Sequence, residues 1–205
     1  MTNGALITLE GIDGSGKTTV WNSLQEVESI AGTDNLTFTR EPTTNKFGQM
    51  LREILAEDNS DPLSELFLFM ADHCTHLHDT VLPALSRNEI VICDRYIDSR
   101  CAYQGHTLTG EVPNPIEFIH DLHQPWSRTP DCTIYLSIDA ETAVERTSSG
   151  EKYEVEDRLM EIRENYATLM SMSPDRFAVV DATQSPDSVL ADVVDVLTDR
   201  FSTGI

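Results

Sequence analysis

The chain reads as an α/β domain built on a parallel sheet. Three observations predict this class. Short apolar runs alternate with longer amphipathic segments, which is the pattern of strand–helix–strand units. The run 90–93 is apolar on consecutive positions, as expected of a strand buried on both faces. A glycine-rich turn joins the first apolar run directly to the first amphipathic segment.

Five runs are assigned as strands: 6–10, 37–40, 90–94, 133–138 and 177–181. Helices are expected over about 16–29, 46–58, 61–87, 115–122, 140–148, 154–172 and 186–201. Pro62 stands early in the third, with Asp61 as its N-cap, because proline suits the first turn and aspartate accepts from free N–H groups there. The stretch 105–115 carries two prolines and two glycines and reads as a loop. The polar, glycine-containing stretch 147–154 reads as a mobile segment. No repeat, low-complexity tract or strong boundary divides the chain, so 1–205 is taken as one domain.

Hydrophobic residues make up 40%, too many for a disordered polyelectrolyte. Acids outnumber bases 35 to 14, a net charge of -21. That argues against a basic surface for nucleic acid or an anionic membrane. The lysines are Lys17, Lys46 and Lys152 alone. Acid excess with lysine depletion, spread along the whole chain, fits the hydrated carboxylate surface of a halophile better than an ordinary acidic protein. Cys74, Cys93, Cys101 and Cys132 form no Cys-x-x-Cys pair, and Cys93 and Cys132 sit in apolar runs as small core residues. Neither a signal peptide nor an 18-residue apolar stretch is present, so a cytoplasmic protein is expected.

Gly11-Ile12-Asp13-Gly14-Ser15-Gly16-Lys17-Thr18 fits G-x-x-x-x-G-K-[ST] at every fixed position. It follows a strand and opens a helix, the context in which backbone N–H groups and a helix N-terminus surround phosphates. Lys17 can bridge β- and γ-phosphates, the Thr18 hydroxyl can ligate Mg²⁺, and Thr19 extends the ATP set. A GTP switch is disfavoured: the nearest guanine-reading candidate, Asn45-Lys46-Phe47-Gly48, lacks the aspartate and lies too early. Asp94, at the end of its strand, is placed to hold Mg²⁺ with Thr18, directly or through water. The adjoining Arg95 is a cation within reach of phosphates at the same strand end.

Together with Thr39-Arg40-Glu41-Pro42 and the run from Asp94-Arg95-Tyr96 through Ser99, Arg100 and Ala102-Tyr103-Gln104-Gly105, these motifs resemble the thymidylate kinase family, as found in halophilic archaea. The resemblance covers nearly the whole chain. It implies a P-loop NTPase fold in three layers, with a five-stranded parallel sheet flanked by helices. It also implies a homodimer, Mg²⁺ dependence and a mobile lid over about 147–157. The implied reaction is phosphorylation of dTMP to dTDP by ATP. Arg40 matches the arginine that reaches the monophosphate, beside Pro42, whose preceding bond is often cis in the family. Arg52 is either a second contact to that phosphate or a solvated helix arginine. Arg95 should neutralise charge between donor and acceptor, with Asp13 placing the acceptor phosphate and metal. Phe69 matches the aromatic stacked on thymine, whereas Phe67 is expected in the core. Tyr103 matches the residue beneath deoxyribose C2′; Gln104, Ser99 and Tyr96 match in type.

Three departures stand out. Gly14 occupies a position where some members carry an arginine, so a lid cation is expected to substitute: Arg146, Lys152 or Arg158, with Lys152 first. His73 stands where bacterial members place an arginine on thymine O4, and Arg100 where some place a base-reading asparagine. Arg100 is therefore expected to donate to a thymine carbonyl and His73 to contribute a neutral N–H. A kinase for another monophosphate, or a nucleotide-binding module that no longer turns over, is the rival reading. His73, His76 and His78 with Asp72 and Asp79 match no zinc spacing and are not read as a metal site.

Overall fold

Runs without a polar face in the sequence become the middle of the sheet. In the computed structural model, which describes residues 4–27, 35–56, 60–147 and 152–201 (side chains of 152–154 and 201 excepted), the strands are β1 (Ala5–Glu10), β2 (Leu36–Arg40), β3 (Ile90–Asp94), β4 (Cys132–Ser137) and β5 (Phe177–Asp181). They form one parallel sheet in the order β2-β3-β1-β4-β5. Every residue of β1 and β3 is buried, whereas the edge strands β2 and β5 are partly exposed. Each fully buried isoleucine or leucine of the central strands contributes about 1.5–3 kcal/mol by leaving water. Cys93 and Cys132 are buried small residues of this core, as expected.

The helices are α1 (Lys17–Leu24), α2 (Lys46–Leu55), α3 (Pro62–His76), α4 (Leu82–Ser86), α5 (Ile97–Thr107), α6 (Pro115–His123), α7 (Ala140–Thr147), α8 (Lys152–Met172) and α9 (Pro186–Phe201). Asp61 caps α3 by accepting from Ser64 N at 2.8 Å, with Pro62 in the first turn. The single helix expected over 61–87 is α3 and α4 joined by a wider π-type turn at Leu77–Val81. Pro83 has no N–H to offer the preceding turn, and the helical ladder widens just before it.

Two expectations are corrected. Helix α5 lies where no helix was assigned, and it takes in the start of the stretch 105–115 read as a loop. The cause is its polarity: Asp98, Ser99, Arg100 and Gln104 are all buried, so the apolar periodicity that announces a helix is missing. Phe67 is 56% exposed rather than core. It lies two residues, about 200° of helix, from Phe69, so the two cannot face the same way. The expected lid falls partly on 148–151, outside the described residues.

Register fixes where chemistry can gather. Leu9 and Arg40 each pair with Asp94, so the carboxyl ends of β1, β2 and β3 finish level. The chain leaves β1 into the glycine loop and leaves β3 into Arg95, side by side at the sheet's carboxyl edge. Open parallel sheets bind ligands in that crevice.

Candidate active site

The glycine loop turns from β1 into α1 with Gly11, Gly14 and Gly16 at φ 149°, 83° and 87°. At Gly14 the need is also steric: a Cβ there would lie 2.3 Å from the Ala143 carbonyl oxygen. An arginine in place of Gly14 would have no room without a shift of α7. Lys17 Nζ folds back to donate to the Ile12 carbonyl at 2.8 Å and the Ser15 hydroxyl at 3.3 Å. Burial, then Arg95, push its ammonium down to about 7, against the pull of Asp13, Asp94 and Glu10.

The loop lines a cavity of about 530 Å³. Asp13 through Thr19 face it, as do Asp94, Arg95 and Arg146. Gly11 and Ile12, also expected there, do not: Ile12 is fully buried, and the Gly11 carbonyl accepts from Arg95 Nη1 at 3.4 Å. Asp94 presents a buried Oδ1 with no hydrogen-bond partner among the described residues. A bare carboxylate oxygen and the Thr18 hydroxyl, lining one cavity, are oxygen donors of the kind that fits a hard divalent cation such as Mg²⁺. Arg146 Nη1 donates to the Ala182 carbonyl at 2.9 Å. The far wall is Ala182, Gln184, Pro186 and Val189, from the turn after β5 and the start of α9. The sequence reading did not include these four, because a wall of mostly apolar residues carries no motif.

Arg95 lies at the mouth of that cavity with φ 64°, a left-handed conformation that costs a side-chain-bearing residue roughly 1–3 kcal/mol. Its Nη2 donates to Asp13 Oδ1 at 2.5 Å and to the Tyr103 hydroxyl at 3.3 Å, and its Nη1 to Ser99 Oγ at 3.1 Å. Beneath it, fully buried Glu10 accepts from Tyr96 N at 2.8 Å, Ser99 N at 3.3 Å and the Tyr166 hydroxyl at 2.8 Å. Glu10 thereby caps α5 at the point where Arg95 leaves β3. Burial, then the charge of Asp98, raise its pKa.

A second cavity, about 240 Å³, opens on the other side of Arg95. Pro42, Phe69, Arg95, Ser99, Arg100, Tyr103 and Gln104 line it, all seven expected from the sequence. Glu41, Leu55 and Tyr96 join them. The Glu41–Pro42 bond is cis. Arg52 stands nearby, donating to the carbonyls of Pro42 at 3.2 Å and Thr43 at 2.8 Å.

Two expected acceptor contacts are elsewhere. Arg40 packs its guanidinium 4.1 Å over the Trp21 ring and lines a separate hollow. Arg40 ends β2, and Trp21 belongs to α1, so the guanidinium is turned toward α1 and does not line the second cavity. His73 does not reach the second cavity either. It is fully buried, with Nδ1 on Glu41 Oε1 at 2.8 Å and Nε2 on Ser127 Oγ at 2.7 Å, so neither nitrogen is left for a base. Of the expected lid cations, Arg146 lines the first cavity, Arg158 is exposed and lines neither, and the Lys152 side chain is outside the described residues.

A parallel sheet with this loop at its carboxyl edge defines the class: a P-loop nucleotide-binding protein, here with a second cavity beside the phosphate loop. A family model described as thymidylate kinase matches residues 9–193. A probable thymidylate kinase of Halobacterium salinarum is 48% identical over 196 residues, 96% of either chain. One from Methanosarcina acetivorans is 45% identical over 199 residues, again 96% of each. The crystal structure of thymidylate kinase from Ehrlichia chaffeensis superposes with a TM-score of 0.75 at 30% identity, covering 95% of this chain and 99% of that one. The chain belongs to the thymidylate kinase family.

Proposed function

We propose that the first cavity holds ATP, the second holds dTMP, and the protein phosphorylates dTMP to dTDP between them. One observation carries the assignment of the two cavities: Asp13 and Arg95, paired to each other, line both. An acceptor phosphate in the second cavity and a γ-phosphate in the first would meet across that pair. An oxygen of the dTMP phosphate attacks the γ-phosphorus, the bond to the bridging oxygen of ADP breaks, and ADP and dTDP result. This transfer needs little covalent work from the protein, so positioning and charge supply most of the rate.

Each side chain then has a part. Lys17 meets the β- and γ-phosphates, and the phosphate charge restores the proton that burial disfavours. Arg95 faces the phosphoryl group in flight, with Asp13 fixing its guanidinium. Asp94 and Thr18, with Asp13, would hold Mg²⁺, which supplies charge neutralisation on the phosphate oxygens when bound. Phe69 stacks on the base, and Tyr103, held by Arg95, lies against the sugar, where an added 2′-hydroxyl would be crowded. Arg100 donates to a carbonyl of the base. Arg52 stands at the rim for the acceptor phosphate. Arg146, at the end of α7, faces the nucleotide beside the lid we infer over about 147–157, and the assembly we infer is a homodimer.

The test is Arg95→Met. If Arg95 acts in the transfer, kcat for dTMP falls roughly 10²–10³-fold, as when one charge-stabilising donor is lost, and the ATP dissociation constant changes far less. An unchanged kcat would remove Arg95 from the transfer and detach the second cavity from the reaction.

A further inference from the structure

One wall of the second cavity is backed by a buried charged cluster, of which the steps above use Arg100 alone. Glu41, buried, stands at its centre. Its Oε1 accepts from His73 Nδ1 at 2.8 Å and His76 Nδ1 at 2.6 Å, and its Oε2 takes a very short hydrogen bond from Arg100 Nη1. Each histidine is closed on its far side, His73 by Ser127 Oγ and His76 by Thr39 Oγ1, both at 2.7 Å. Arg100 Nε donates to His123 Nε2 at 3.0 Å, and His123 Nδ1 donates to the Ile119 carbonyl at 2.8 Å. That pattern makes His123 a neutral acceptor.

One atom is left over. Arg100 Nη2 is buried, without a partner among the described residues, on a residue that lines the second cavity. An unpaired guanidinium nitrogen in a buried wall is costly, so an acceptor is expected there. Its position follows from the rest of the fork: with Nε on His123 and Nη1 on Glu41, the planar group has no rotational freedom. Glu41 in turn cannot move, because two imidazoles hold its other oxygen and its backbone N–H is tied to the Asp94 carbonyl at 3.0 Å.

We propose that Glu41, clamped by His73 and His76, is the positioning residue that aims Arg100 Nη2 at the base and makes the cavity select a pyrimidine 4-carbonyl over a 4-amino group. A guanidinium has donors only. It pairs with a carbonyl oxygen and leaves a donor facing a donor when that carbonyl is replaced by an amino group. The histidines act through the carboxylate and do not touch the nucleotide. Glu41, His73 and His76 also stand close enough to suggest a metal site. Yet the same carboxylate already carries the Arg100 guanidinium, and a dication beside it in a dry core would be repelled. The inference rests on the assignment of dTMP to the second cavity.

The experiment is a double-mutant cycle read as the kcat/KM ratio of dTMP to dCMP, in molar KCl, with KM for ATP as the internal control. Wild type is measured first, and a wild type that turns over no dTMP sinks the functional reading itself. Arg100→Met should lower the ratio about tenfold or more, since it removes the discriminating donor. Glu41→Gln should lower it similarly, through KM for dTMP, and leave KM for ATP within about twofold. In the Arg100→Met background Glu41→Gln should add nothing, because residues acting as one unit are non-additive. Glu41→Asp keeps the buried charge balance and withdraws the carboxylate by one methylene, so it closes the cycle where Glu41→Gln does not fold. A Glu41 variant that keeps wild-type selectivity, or one that lowers selectivity further without Arg100, would overturn the positioning role and leave the functional reading standing.

Discussion

Lys17 is asked to carry a charge in a place that resists it. Its environment lowers the pKa to about 7 while no phosphate is present, and burial is the largest cause. Triphosphate oxygens favour the ammonium, so the pKa rises on binding. Between the free and the bound value, binding must take up a proton. ATP affinity should therefore fall as pH rises above about 7, approaching one decade per unit. Calorimetric titration at pH 6.5, 7.5 and 8.5 in buffers of different ionisation enthalpy reads both the affinity and the proton uptake. A flat dissociation constant with no uptake would mean that Lys17 is charged before ATP arrives. The same scale shows where sequence stops. Lys17, Asp94 and Arg95 were legible because strand ends and the glycine loop dictate where they stand. Arg40 and His73 were assigned by residue type and motif position alone. Which way each side chain leaves the backbone was decided by Trp21 and by Glu41, neighbours that no local pattern names.

Among the elements, the glycine loop is held from both ends. β1 is buried on both faces behind it, and α7 closes against Gly14 in front. Gly14 and Gly16 both have positive φ, but a Cβ at Gly16 meets nothing within 4 Å. The two positions separate strain from collision. Gly16→Ala should lower stability by about 1–2 kcal/mol, the cost of the left-handed backbone. Gly14→Ala should cost visibly more, since α7 must also move. Thermal unfolding of the two variants in the same salt compares them, and equal losses would contradict a loop packed against Ala143. The strands and most helices were readable because a strand buried on both faces and an amphipathic helix each leave a periodic trace. Helix α5 left none. It turns Ser99, Arg100 and Gln104 into the wall of the second cavity, so an element that builds much of that wall was the least visible by pattern.

For the whole molecule the governing quantity is the net charge of -21. Relatives from Halobacterium and Halorubrum at 48% identity fit the reading of a chain adapted to concentrated salt. At about 0.01 M ionic strength charges feel each other across roughly 30 Å, and at 1 M across roughly 3 Å. Repulsion over the surface should therefore be relieved by salt, raising the melting temperature by roughly 5–10 °C or more between dilute buffer and molar KCl. Equal melting temperatures would refute the halophilic reading. In the proposed function an ATP cavity is paired with a thymine-selective acceptor cavity across Asp13 and Arg95. The most direct measurement is ADP formation from ATP and Mg²⁺ in molar KCl, with a panel of ribo- and deoxynucleoside monophosphates as acceptors. Turnover dominated by dTMP is expected, with dCMP and the ribonucleotides far behind; no turnover with any acceptor, or a preference for a 4-amino pyrimidine, would contradict the proposed function.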